Sequence, residues 1–373
     1  MKKIAVLGAG MVGRAMAVDL SKDYDVVSVD LDTEALSRIR RDHGLATRQA
    51  DLSDPQQVMK TVAGFDLVVG AVPGFLGYRV LEAVIEAGVN AVDISFFDQN
   101  PFDLDELART KGVTAVMDIG VAPGMDNIFL GYHLERSAVR RFECLVGGLP
   151  RERRWPYEYK APFSPIDVLE EYTRPARIFQ DGQVVVKPAL SEVERMDFDG
   201  VGTLEAFNSD GLRSLIHTCS KVPNMIERTL RYPGHAELMR ILRDTGFFSK
   251  ELVEVRGQSI RPLDLTASLL FPMWKLGEEE DEFTVMRVVL EYEKQRITYN
   301  LLDRYDAATR TSSMARTTGY TATGAARMVL EGHYRHPGIS PPEYLGRKEE
   351  NFQFMLQHLK ERNVVYHKTT ERI

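Results

Sequence analysis

Three glycines constrain the start of this chain more than any other feature. Gly8, Gly10 and Gly13 form a G-x-G-x-x-G run between a β-rich apolar segment, Lys3–Leu7, and Met11–Leu20, where Val12, Ala15, Met16 and Leu20 share one helical face. A glycine triplet alone says little. At a strand-to-helix junction, however, Gly8 permits the tight turn, Gly10 lets the backbone approach an anion, and Gly13 lets helix and strand pack closely. The free N–H groups of the opening helical turn, those of Met11 and Val12 among them, then face a pyrophosphate. Asp30 follows 22 residues after Gly8, behind the apolar run Val26–Val29. A carboxylate there accepts both ribose hydroxyls and repels a 2′-phosphate, and Asp32 adds to the repulsion, so NAD is expected in preference to NADP.

The strand-helix rhythm continues through about residue 125. Asp54 reads as a helix N-cap with Pro55 first in the helix, Gln57 at the capping-box position and Gly64 as the stop. Strand Phe65–Val72 follows, then a helix from Pro73-Gly74 to Gly88, strand Val89–Ile94, helix Asp103–Lys111 and strand Val113–Ile119. The rhythm counts six strands in one doubly wound parallel half, five of them marked by these runs, an α/β architecture. Ligands in such sheets lie beyond the carboxyl ends of the strands. That edge carries Asp51 and Leu52, expected beside the adenine, and Ala71, Val72 and Pro73, expected as an apolar wall along the nicotinamide. It also carries Asp93, Ser95 and Asp118. Asp93 and Asp118 are each a lone carboxylate closing an apolar strand, which suits either chemistry or a turn anchor.

Beyond about residue 140 the alternation stops. Phe142–Val146, Gln183–Val186 and Phe283–Leu302 read as strands, the last as an antiparallel hairpin with one wet side: Met286, Val288, Leu290 and Tyr292 share a face, as do Ile297, Tyr299 and Leu301. The acidic run Glu278–Glu282 reads as a solvated loop in preference to a metal or polyamine site. Tyr320–Leu330, rich in Ala and Gly, reads as a closely packed helix. The 373 residues suggest two domains, and 44% apolar content excludes a disordered chain. No run is long and apolar enough to span a bilayer. Met1-Lys-Lys before Ile4-Ala-Val-Leu imitates a secretory signal, but the glycines, Arg14 and Asp19 interrupt the apolar region. Cys144 and Cys219 lie far apart with no metal-binding spacing, so a cytoplasmic protein without disulfides or metal is expected. A net charge of −7 disfavours nucleic acid.

The segment Asp118-Ile-Gly-Val-Ala-Pro-Gly-Met-Asp-Asn127 resembles the Asp-x-Gly-x-x-Pro-Gly turn of the saccharopine dehydrogenase family. Further segments resemble it in the same order: Pro73–Gly77, Val146–Pro150, Glu171–Pro175, Leu190–Val193, Glu205–Gly211, Thr229–His235, Met314–Thr318 and Pro341–Glu343. They run through essentially the whole chain and, as a set, look most like archaeal and bacterial L-lysine 6-dehydrogenases. The resemblance implies a discontinuous Rossmann domain (residues 1–125 and 315–345), an α+β substrate and dimerisation domain (126–314) and a C-terminal helical segment (346–373). It also implies a homodimer, and a reaction in which NAD oxidises the ε-amine of lysine to allysine and ammonia, the aldehyde then cyclising.

That chemistry makes demands on residues. With a lysine pKa of about 10.4, only about one substrate molecule in 2,500 is neutral at pH 7, so a base or a depressed substrate pKa is needed. Asp118 and His235 are the leading candidates for cation stabiliser and base, with Asp93 behind them; for His235 a structural histidine after a Pro-Gly turn is the alternative. The remote carboxylate calls for a bidentate cation, Arg213 or Arg231, with Arg174 third. Tyr172 and Thr173 are expected along the aliphatic stem. Two other functions fit the sequence: a saccharopine- or carboxynorspermidine-type enzyme joining an amine to a carbonyl compound, and a non-catalytic NAD sensor.

Overall fold

The computed structural model describes residues 1–373. Lys3–Leu7 (β1), Asp25–Asp30 (β2), Ala46–Gln49 (β3), Leu67–Gly70 (β4), Asn90–Asp93 (β5) and Thr114–Val116 (β6) lie parallel in one sheet, and Gly338–Ser340 returns as a seventh strand beside β6. The order is Gly338–Ser340, β6, β5, β4, β1, β2, β3. The winding direction reverses at β1, between β2 and β4, so the glycine loop after β1 opens onto the crevice where doubly wound sheets take ligands. β6 is shorter than its apolar run because Asp118 has φ 54°, outside the strand region. β3 lacks an apolar run: its residues are Ala-Thr-Arg-Gln and it forms an exposed edge. The expected capping box at Asp54 does not close. Asp54 accepts from Gln56 N at 2.9 Å, but Gln57 Oε1 accepts from Asp51 N at 3.3 Å.

Two compact units result, residues 1–137 with 314–365 and residues 138–313 with 366–373. The first break falls at 137 and not at 125 because helix Met125–Leu134 packs against Pro342–Gly346. A Cβ on Gly131 would stand 2.1 Å from the Glu343 carbonyl oxygen, and one on Gly346 would stand 2.2 Å from that of Ile128. The end of the chain divides as well: helix Glu349–Lys360 belongs to the first unit, whereas His367–Arg372 is a strand paired with Gln295–Arg304 in the second.

Within the first unit, helix Met11–Leu20 (α1) is fastened to the returning segment by a buried charge. Asp19 accepts from Thr323 Oγ1 at 2.7 Å, Arg362 Nε at 2.9 Å and Arg327 Nη1 at 3.2 Å. Burial raises its pKa, but Arg327 and Arg362 outweigh that and hold the carboxyl below its ordinary value.

The second unit is built on a nine-stranded mixed sheet. Arg141–Pro150 runs parallel to Asn224–Arg231 and antiparallel to Glu282–Glu291, which pairs in turn with Gln295–Arg304. The expected hairpin is present, but only its second strand has a wet side; Glu282–Glu291 lies between two neighbours and is buried on both faces except at Arg287 and Glu291. Glu282 therefore leaves the solvated acidic run: it is buried, and its Oε1 accepts from Ser313 N. Gln183–Lys187 forms a hairpin with Ala176–Gln180. Helices Pro165–Thr173, His235–Thr245 and Pro262–Trp274 contribute Tyr172, Met239 and Trp274 to one core cluster with Leu145, Leu230 and Val285 of the sheet. No helix in either unit is long and apolar enough to cross a membrane.

Candidate functional site

The glycine loop separates what the fold requires from what it leaves open. A Cβ on Gly8 would lie 2.4 Å from the Ala71 carbonyl oxygen, and one on Gly13 would lie 2.0 Å from the Gly8 carbonyl oxygen. Packing alone therefore explains both. Gly10 differs: its φ is −66° and a Cβ there meets nothing within 4 Å. Neither backbone strain nor a protein neighbour calls for glycine at this position, which caps α1 without any side-chain hydrogen bond. Open space beside the free N–H groups of a helix start fits an anion held close to the main chain.

Asp30 closes β2 beside this loop. Its Oδ2 accepts from Ala9 N at 2.6 Å and its Oδ1 from Asp32 N at 2.9 Å, which ties the carboxylate to the turn and leaves further lone pairs on both oxygens. Asp32 caps the next helix, accepting from Glu34 N at 2.8 Å. Asp51 Oδ1 accepts from Ser53 N and Oγ at 2.9 and 2.7 Å. Leu52 and Val72 point into the core, so of the expected apolar walls only Ala71 and Pro73 remain partly accessible. Phe75 was not expected to have a role, yet it opens helix Gly74–Glu86 at this edge with 72% of its surface exposed. An exposed aromatic ring beside an expected nicotinamide site was already visible in the Pro73–Gly77 motif.

Asp93 and Ser95 are buried and satisfy each other. Asp93 Oδ1 accepts from Ser95 N at 2.8 Å and Oδ2 from Ser95 Oγ at 3.3 Å, the turn-anchor arrangement. Asp118 is buried too, and its backbone is left-handed. The loop after it is tightly knotted: Gly120 N donates to Pro123 O at 2.9 Å and Met125 N to Gly120 O at 3.0 Å. In the first turn of helix Met125–Leu134, which closes the loop, lies Asp126, another acid that residue spacing did not single out. It is fully buried and its Oδ1 accepts from Gly124 N at 2.9 Å. Burial, and secondarily Glu343, push its carboxyl up to about 7.

In the second unit, Tyr172, Arg231 and His235 do come together, in a closed and internally satisfied cluster. His235 Nδ1 donates to Tyr157 O at 2.9 Å, which leaves Nε2 to accept from Tyr172 OH at 2.9 Å. Arg231 Nε donates to Tyr172 OH at 3.1 Å, Nη1 to Leu230 O at 2.9 Å, and Nη2 to Glu171; its guanidinium carbon sits 4.4 Å from the Tyr159 ring centroid. Burial and the Arg231 charge lower the His235 pKa to about 3. A neutral ring with both nitrogens engaged is the structural histidine, not a ready base. Thr173 Oγ1 donates to Leu169 O at 2.9 Å, one helical turn back. Arg174 lies 3.7 Å from Glu170. Arg213 is buried at φ 47°. Among the non-glycine residues at positive φ, Asp118 and Arg213 alone are both charged and buried. Strain of this kind persists only where surrounding structure enforces it, and it concentrates at functional sites.

A family model described as the saccharopine dehydrogenase C-terminal domain matches residues 120–365, and one described as the saccharopine dehydrogenase NADP binding domain matches residues 4–116. The chain belongs to the saccharopine dehydrogenase family. Among its relatives are the mitochondrial alpha-aminoadipic semialdehyde synthase of Mus musculus, 25% identical over 70% of this chain and 30% of the relative, and the saccharopine dehydrogenase [NADP(+), L-glutamate-forming] of Pyricularia oryzae, 26% identical over 67% and 59%. The chain thus spans between about a third and three fifths of the length of these relatives. The apo structure of saccharopine dehydrogenase (L-Glu forming) from Saccharomyces cerevisiae superposes with a TM-score of 0.78 at 20% identity over the full length of both chains, so the family fold is shared throughout.

Proposed function

We propose that this chain is a nicotinamide-dependent dehydrogenase that oxidises the Cε–N bond of an amino acid of the lysine type, with free L-lysine as substrate and NAD as hydride acceptor. The observation that carries the reading is Asp118, a buried carboxylate held in left-handed backbone just beyond β6, at the ligand edge of the parallel sheet. Its negative charge complements a substrate that carries a distal ammonium.

The overall change is R–CH2–NH3+ plus NAD+ and water giving R–CHO, NH4+, NADH and a proton. The dinucleotide, when bound, takes the hydride. Asp118 accepts a proton from the ammonium, so that the nitrogen lone pair can expel hydride, and once it has passed that proton to solvent its carboxylate faces the iminium cation as counter-charge. Asp126, with a carboxyl near 7, is suited to exchange the proton that moves when water adds. His235 and Arg231 hold the second unit together and take no part in proton transfer.

The preference for NAD rests on Asp30, a carboxylate tied to Ala9 N and Asp32 N at the end of β2, whose charge would repel a 2′-phosphate. The family model and the named fungal relatives point the other way, toward NADP. Replacing Asp30 by Ser should lower kcat/KM for NAD at least tenfold and narrow the ratio to NADP. An unchanged ratio would remove Asp30 as the determinant.

A second reading, favoured by those relatives' names, is a saccharopine-type reaction on a secondary amine, releasing an amino acid instead of ammonia. Saccharopine carries three carboxylates and calls for more than one cation. Arg231 is committed to Glu171 and the tyrosines, which counts against this reading. Dinucleotide reduction with saccharopine but not with L-lysine would establish it.

A further inference from the structure

In the first unit only four large apolar side chains stand exposed: Met1 and Val365, where its chain begins and ends, and Leu31 and Phe75. Leu31, 59% exposed, directly follows β2; Phe75, 72% exposed, lies just beyond β4 in the first turn of helix Gly74–Glu86. β2 and β4 are the strands on either side of β1, so these two residues flank the glycine loop along the ligand edge of the sheet. The fold asks for neither exposure. Helix Gly74–Glu86 buries Gly77, Val80, Leu81 and Val84 and exposes Arg79 and Glu86, an amphipathic pattern that Phe75 breaks in the turn nearest the sheet edge. Leu31 stands between two carboxylates that both accept from backbone N–H groups, and its own carbonyl accepts from Gln49 Nε2 at 3.2 Å, so the turn is fixed while the leucine side chain stays in solvent.

We infer, on the dinucleotide reading above, that Leu31 and Phe75 are the apolar supports for the two rings of the bound cofactor, Leu31 for the adenine and Phe75 for the nicotinamide. Neighbouring strands lie about 4.8 Å apart, so β2 and β4 end roughly 10 Å from each other with the loop after β1 midway. A dinucleotide has the matching form: a central pyrophosphate with one ring system on each side. With the pyrophosphate at the glycine loop, one ring falls beyond β2 and the other beyond β4. Asp30 decides which is which, because a carboxylate at the end of β2 receives the adenosine ribose and places the adenine on the Leu31 side. Flat, largely apolar ring faces gain from covering such side chains, and the protein loses nothing by holding them exposed until the cofactor arrives.

Titration calorimetry of the full chain tests this with NADH, NADPH and ADP-ribose, which keeps the adenine end and lacks the nicotinamide. Phe75→Ala should weaken the dinucleotide that the wild type prefers by about tenfold and leave ADP-ribose unchanged, whereas Leu31→Ser should weaken both ligands alike, by about fivefold. Both side chains are exposed, so both variants should melt with the wild type. Dinucleotide affinity left unchanged by either variant would overturn the inference, as would a Phe75→Ala loss shared in full by ADP-ribose or a Leu31→Ser loss confined to the dinucleotide. A wild-type chain that binds none of the three ligands would contradict the dinucleotide reading itself, and the inference with it.

Discussion

A single glycine carries the sharpest residue-level prediction. Gly10→Ala should leave thermal stability unchanged or slightly raised, because the backbone is already in a region open to alanine and no protein atom is near, while dinucleotide affinity falls at least tenfold. Gly13→Ala should instead destabilise the fold by about 2 kcal/mol or more, because its Cβ would stand 2.0 Å from the Gly8 carbonyl oxygen. Titration of dinucleotide fluorescence beside a thermal melt separates the two. His235 gives a second test. Its pKa is lowered to about 3 in the folded chain, against about 6.5 unfolded. Between those values the unfolded state binds a proton that the folded state refuses, so the contribution is complete above pH 6.5 and is lost as pH falls toward 3. His235→Gln should flatten the stability slope in that window by up to about 1.4 kcal/mol per pH unit, measured by urea unfolding, and should leave the pH profile of kcat/KM in place. The glycine spacing and Asp30 were legible in the sequence because they mark a backbone path that few residues allow. The state of His235 was not, because a histidine after Pro-Gly reads alike whether its ring meets substrate or is enclosed by Tyr157, Tyr172 and Arg231, residues that adjoin it only in the folded unit.

At the level of elements, the returning helix and α1 are joined by Asp19, and this junction should be brittle. Asp19→Asn leaves the buried guanidinium of Arg327 and the largely buried one of Arg362 without their shared anion, a change expected to cost about 3–5 kcal/mol. Because the Asp19 pKa is depressed, its contribution is present above the ordinary carboxylate pKa and lost as pH falls through the depressed value, so the gap between wild type and variant should close in acid. Denaturant titrations at pH 7 and pH 3 check both statements. Apolar runs punctuated by Gly and Pro revealed five strands of the parallel sheet with little error beyond their ends. They concealed β3, a polar edge, and Gly338–Ser340, three residues whose pairing with β6 is specified only by the fold. The helices of the second unit were harder still. Pro262–Trp274 is apolar on nearly every side, so no amphipathic period announces it.

For the whole molecule, the resemblance carried by motifs from Pro73 to Glu343 anticipated the family that both family models match. It could not show that Arg231 is spent inside the protein, held by Glu171 and the tyrosines, and that commitment now bears on the choice between the two substrate readings. Asp118→Asn should lower kcat at least a hundredfold with little change in KM. The most direct measurement of the central claim is NADH formation at 340 nm with L-lysine as the sole amine, from pH 7 to 10, beside saccharopine and with NADP in place of NAD. The account predicts turnover with L-lysine and NAD that grows as pH rises and releases one ammonia per NADH. Absence of NADH with L-lysine at every pH, with turnover on saccharopine, would contradict it.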